Sequence, residues 1–75
     1  EHKILTERIK GDLYATLQHP MEKAHYISFF AFVSSDRMQI VKLYPEQGAE
    51  ARFPVHGRGV LYAYCNRHGL IKRRI

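Results

Sequence analysis

The sequence predicts an all-β fold, an antiparallel β-sandwich of about seven short strands. Three observations lead there. Residues suited to strands recur in short runs, turn-forming residues interrupt them at about 8 to 12 positions, and little of the chain reads as helix. Residues 3–9 and 12–17 form two such runs around Lys10-Gly11, a hairpin turn in which the glycine supplies a positive φ. The rhythm breaks at His19-Pro20, because proline denies His19 the helical region and cannot donate to a ladder, so residues 18–23 read as an edge loop. Residues 25–33 are rich in aromatic and branched side chains. Alternation puts Ile27, Phe29, Ala31 and Val33 on one face and Tyr26, Phe30 and Phe32 on the other, the pattern of a central strand covered on both sides. Ser34-Ser35-Asp36 makes a turn, residues 38–44 a further strand and Pro45-Glu46-Gln47-Gly48 a second turn. Residues 49–53, 59–64 and 70–75 supply three more strands.

At 75 residues the chain is one small domain, long enough to bury only about 60% of its unfolded surface. A metal ion that stapled its ends would add stability. The composition, 45% apolar and 25% charged, is that of a globular protein and argues against disorder. No run is long and apolar enough to span a bilayer and no signal-peptide pattern is present, so a soluble protein is expected. The single cysteine excludes an internal disulfide and suits a reducing cytoplasm. The chain opens on Glu1 without an initiator methionine, which reads as a piece of a longer protein. A net charge of +5 and a pI near 9.7 raise nucleic acid as a partner, but the basic residues are scattered. The one tight cluster, Lys72-Arg73-Arg74, has the character of a solvated edge. A small anion benefits equally from a positive field.

The residues that carry chemistry lie at the two ends of the chain. Cys65 sits three residues before His68 in Cys65-Asn66-Arg67-His68-Gly69-Leu70, and His19 and His25 sit six apart in His19-Pro20-Met21-Glu22-Lys23-Ala24-His25. One soft sulfur and several imidazole nitrogens can converge on one ion, so the two segments read as a divided mononuclear metal site for iron or zinc. A Cys-x-x-His pair alone is more often a buried thiol beside a surface histidine, and the joint pattern is what changes the reading. His56, in the glycine-rich Val55-His56-Gly57-Arg58-Gly59, reads as a turn residue. Pro20 and Met21 read as residues that shape the loop and fill a gap. Phe29, Phe30, Phe32, Tyr62 and Tyr64 fit core or sheet-face positions better than a platform for stacking bases.

These two segments, extended to Tyr26-Ile27 and Tyr64, resemble the iron-binding segments of the superoxide reductases, also called desulfoferrodoxins or neelaredoxins. The resemblance covers nearly the whole chain, with both motifs in family order and at the family's spacings. It implies an immunoglobulin-like antiparallel β-sandwich and one iron per chain, ferrous or ferric, held by four equatorial histidines and one axial cysteine. Position by position, His19, His25 and His68 match equatorial ligands and Cys65 the axial thiolate. His2 is the candidate for the fourth histidine. It lies a few residues nearer His19 than is usual, a difference that a tight Lys10-Gly11 hairpin absorbs. Where the family usually carries a lysine that attracts superoxide and supplies protons, this chain has Glu1. The resemblance therefore makes Glu1 and Lys23 the candidate catalytic residues, with Arg67 a further source of positive charge. It also implies that a carboxylate such as Glu1 can bind ferric iron in a resting state. Ile71 replaces a tryptophan common in the family, with a packing consequence only.

The implied function is the one-electron reduction of superoxide to hydrogen peroxide, a defence against oxidative stress in an anaerobic bacterium. Four imidazoles and one thiolate leave a sixth position for a small anion, and the opposing sulfur pushes electron density through the metal. The implied partners are superoxide, an external electron donor such as rubredoxin, and further copies of the chain in a homodimer or homotetramer, with no membrane involved. Two other classes stay open. One is the iron-bearing, oxidant-sensing C-terminal domain of a helix-turn-helix regulator, in which nucleic acid is met through a preceding domain. The other is a structural zinc domain.

Overall fold

The computed structural model describes residues 4–18, 21–54 and 57–75. Among them are seven strands and no helix: β1 (Ile4–Ile9), β2 (Asp12–Leu17), β3 (Ile27–Val33), β4 (Met38–Lys42), β5 (Glu50–Pro54), β6 (Val60–Cys65) and β7 (Gly69–Arg74). They form two antiparallel sheets, β1-β2-β5 and β4-β3-β6-β7, facing each other as an immunoglobulin-like sandwich. The fourth strand of a constant-type immunoglobulin domain pairs within the first sheet, whereas β4 here pairs with β3 in the second.

Alternation decides which side chains meet between the sheets. Leu13, Ala15 and Leu17 of β2, Ala51 and Phe53 of β5, and Leu61, Ala63 and Cys65 of β6 are buried at every second position. Phe32 of one sheet meets Phe53 of the other at 6.2 Å between ring centroids. β3 is the central strand that its apolar run predicts, flanked by β4 and β6. The expected face assignment fails at the start of the run, before Phe29. The β3–β6 register steps between Ile27 and Phe29, so a bulge at Ser28 turns Ile27 onto the core face with Phe30 and Phe32, opposite Cys65. β2 has the expected bounds and the other strand ends lie within two residues of the expected ones, the largest changes being β3, which begins at Ile27, and β4, which ends at Lys42.

The β1–β2 turn is tighter than a lone glycine explains. Ile9 pairs with Asp12, and both Lys10 (φ 49°) and Gly11 (φ 85°) lie in the left-handed region, the signature of a type I′ turn. Lysine carries a Cβ penalty there that asparagine largely escapes. Lys10→Asn is therefore expected to stabilise the fold by about 0.5 kcal/mol, raising the thermal midpoint by roughly 2–4 °C in calorimetry. An unchanged or lower midpoint would show that the turn is not strained at Lys10.

Candidate metal centre

One end of the sandwich gathers the chemistry. β6 and β7 are joined by Asn66, Arg67 and His68, with Cys65 paired to Gly69 across the mouth of the hairpin. Gly69 holds φ 86°, a conformation that side chains rarely adopt, and this returns the chain sharply enough to bring His68 back beside Cys65. The Cys65 sulfur is 3.4 Å from His68 Nδ1. Cys65 is fully buried at the floor of the core, whereas His68 is exposed at its rim.

His25 arrives from a segment distant in sequence. A short turn over Lys23 and Ala24 is closed by two backbone bonds of 3.0 Å, Glu22 N–H to His25 O and His25 N–H to Glu22 O. Asn66 ties the same segment to the Cys65 hairpin. Its Oδ1 accepts from Tyr26 N–H at 2.9 Å, its Nδ2 donates to Ala24 O at 3.2 Å, and its own N–H donates to Tyr26 O at 3.1 Å. The His25 and His68 rings meet edge to face with centroids 4.9 Å apart. One donor atom from each of His25, Cys65 and His68 lies within 4.8 Å of the other two. Ligand bonds of about 2.0–2.3 Å span up to roughly 4.4 Å across one ion, so small side-chain adjustments let these three donors share a metal. A thiol with two imidazoles is a donor set for iron or zinc, not for calcium or magnesium.

Of the other residues singled out by sequence, Glu1, His2, His19, Pro20 and His56 lie outside the described residues. Lys23 is exposed in the turn that precedes His25, and Arg67 is exposed between Cys65 and His68. A surface cavity of about 200 Å³, lined by Phe32, Ser34, Arg37, Pro54 and Arg58, lies by the Val33 end of β3, whereas His25 and Cys65 lie by the Ile27 end. The cavity therefore has no part in the cluster.

Two supporting contacts escaped the sequence reading. Asn66 was one motif residue among several, although an asparagine beside a ligand in a tight turn is a common backbone clasp. Met21 does more than fill a gap, since its Sδ accepts Ile27 N–H at 3.3 Å where the bulge disturbs the ladder, and its carbonyl accepts Glu46 N–H. Met21→Leu keeps the volume and removes the acceptor, so it should cost about 1 kcal/mol and speed exchange of the Ile27 amide. Denaturant titration with amide exchange checks this, and an Ile27 amide as protected as before would contradict the sulfur's role.

Comparison with known proteins converges on one family. The sequence model described as Desulfoferrodoxin matches residues 8–74. A desulfoferrodoxin of Clostridium acetobutylicum is 40% identical over 60 residues, which make up 80% of this chain and 48% of that protein. The chain thus spans about half the length of the curated relative it matches. The superoxide reductase of Giardia intestinalis superposes with a TM-score of 0.85 at 18% identity, covering 99% of this chain and 95% of that one. That of Treponema pallidum superposes at 0.82 with 21% identity, over 93% of this chain and 61% of its own. At such identities these two matches establish the fold alone. A neelaredoxin-type superoxide reductase of Ignicoccus hospitalis reaches 0.71 at 27% identity, over 99% and 77% of the respective chains.

Proposed function

The chain belongs to the desulfoferrodoxin family, and from that premise we propose that it is a mononuclear iron domain of superoxide reductase type. It holds one iron per chain through His25, Cys65 and His68, with His2 and His19 completing the set, and reduces superoxide to hydrogen peroxide. The observation that carries this reading is the convergence of the His25, Cys65 and His68 donor atoms within 4.8 Å at one end of a family fold. When bound, ferrous iron supplies the one electron that superoxide takes up, with two protons, to leave as hydrogen peroxide, and an external donor returns that electron to the resulting ferric iron.

The chain's own residues supply the setting. Cys65 offers its sulfur from the apolar side, where the core keeps water and oxidants away from it. His68 stands exposed at the rim, so a small anion reaches it directly from solvent. The net charge of +5 favours an anionic substrate over neutral ones, and Lys23 and Arg67, in the two turns that carry His25 and His68, concentrate that charge locally. Lys23 is the proposed steering residue, with Glu1 the second acidic or basic group to test. Such steering weakens as ionic strength rises. The buried thiol suits a reducing cytoplasm. The matched family favours this reading over a structural zinc site or the sensor domain of a DNA-binding regulator.

The deciding experiment is metal analysis and visible absorbance of anaerobically purified protein before and after oxidation, with Cys65→Ser beside it. Iron near one per chain is expected, with a sulfur-to-iron charge-transfer band on oxidation that Cys65→Ser abolishes. Pulsed superoxide should then be consumed in proportion to ferrous iron, and Lys23→Glu should slow that consumption several-fold at low salt. Zinc in place of iron, with no colour on oxidation, would retire the enzymatic reading.

A further inference from the structure

We propose that Asn66 is the positioning residue of the metal centre, setting His25 at the distance from Cys65 and His68 at which one ion takes all three. This inference rests on the metal-site reading above and adds a role for a side chain that offers the ion nothing itself.

The two halves of the site differ in what holds them. Cys65 and His68 belong to one hairpin, so their spacing is fixed by the Cys65–Gly69 pairing and the left-handed Gly69. His25 precedes β3 and lies outside any named strand, so the ladder itself does not hold it in place. A ring of hydrogen bonds among the described residues engages its backbone. The His25 N–H and C=O are both engaged by Glu22, while Ala24 O, just before it, and Tyr26 N–H and C=O, just after it, are all engaged by Asn66. Asn66 is itself bonded covalently to Cys65. The carboxamide thus ties the backbone on both sides of one ligand directly to the neighbour of another.

The chemistry of the clasp explains why the residue is asparagine. One end must accept from an N–H and the other must donate to a carbonyl, which assigns Oδ1 and Nδ2 without ambiguity. Aspartate keeps the acceptor but turns a second oxygen toward Ala24 O, and alanine loses both bonds. Asn66 is exposed and is not part of the core cluster that contains Ile27, Phe30 and Cys65. Its loss is therefore expected to loosen His25 and leave the sandwich folded. Groups that orient metal ligands typically change metal affinity by about 10–100-fold when removed.

The test uses Co(II), which reads the donor set by affinity and by its ligand-field and sulfur charge-transfer bands. Affinity for Co(II) is measured by chelator competition for the parent chain, Asn66→Ala, Asn66→Asp, His25→Ala and the double variant His25→Ala with Asn66→Ala. Asn66→Ala should weaken binding by about 10–100-fold and shift the ligand-field bands, with Asn66→Asp following in the same direction. In the His25→Ala background the Asn66→Ala change should fall below about 2-fold, because the residue acts through His25. An equal loss in both backgrounds would reveal a general structural role and overturn the proposal, as would an Asn66→Ala chain that binds Co(II) like the parent. Failure to hold iron or to consume superoxide would strike the functional reading and leave the cobalt comparison standing.

Discussion

The pairing of β3 with β6, with Ile27 opposite Cys65, is the constraint on which the rest of the structure depends. These two strands occupy the centre of the four-stranded sheet, and their register decides which side chains reach the core. A slip of one residue would either turn Cys65 out to solvent or turn Phe30 and Phe32 away from the facing sheet, because the two strands could no longer bury both sets on one face. The same register draws the segment before β3 alongside the loop after β6. One hydrophobic decision therefore sets both the core and the meeting of His25 with Cys65 and His68.

That dependence makes the bulge at Ser28 part of the site as well as of the fold. Were Ser28 paired regularly instead of bulged, strict alternation would send Ile27 to the outer face and change the direction in which the chain leaves toward His25. Met21 Sδ takes the amide that the bulge exposes, and Asn66 secures the next stretch, so irregular backbone is satisfied locally. The result is a cluster with a buried sulfur and an exposed imidazole.

Much of this was legible in the sequence, for reasons that differ by residue. The strands could be read because their alternation and turn residues are local properties, and the Cys65 hairpin because Cys65, His68 and Gly69 are close in the chain. The bulge could not be read, because a register step belongs to two strands at once, and Ile27 was consequently assigned to the wrong face. The positive φ of Lys10 was hidden because the glycine beside it seemed sufficient for the turn. Asn66 and Met21 were visible as motif residues, but their bonds cross between segments some forty and six residues apart. His2 and His19 lie outside the described residues, and their part in the donor set stays a proposal carried by the family resemblance.

The central claim is that the sandwich brings a buried sulfur and separate imidazoles onto one ion. X-ray absorption at the iron edge of the iron-loaded, reduced chain tests it most directly. One sulfur scatterer at about 2.3 Å, beside a shell of nitrogen neighbours whose multiple scattering marks imidazole rings, is the result this account requires. A first shell of oxygen and nitrogen alone, with no sulfur, would contradict it.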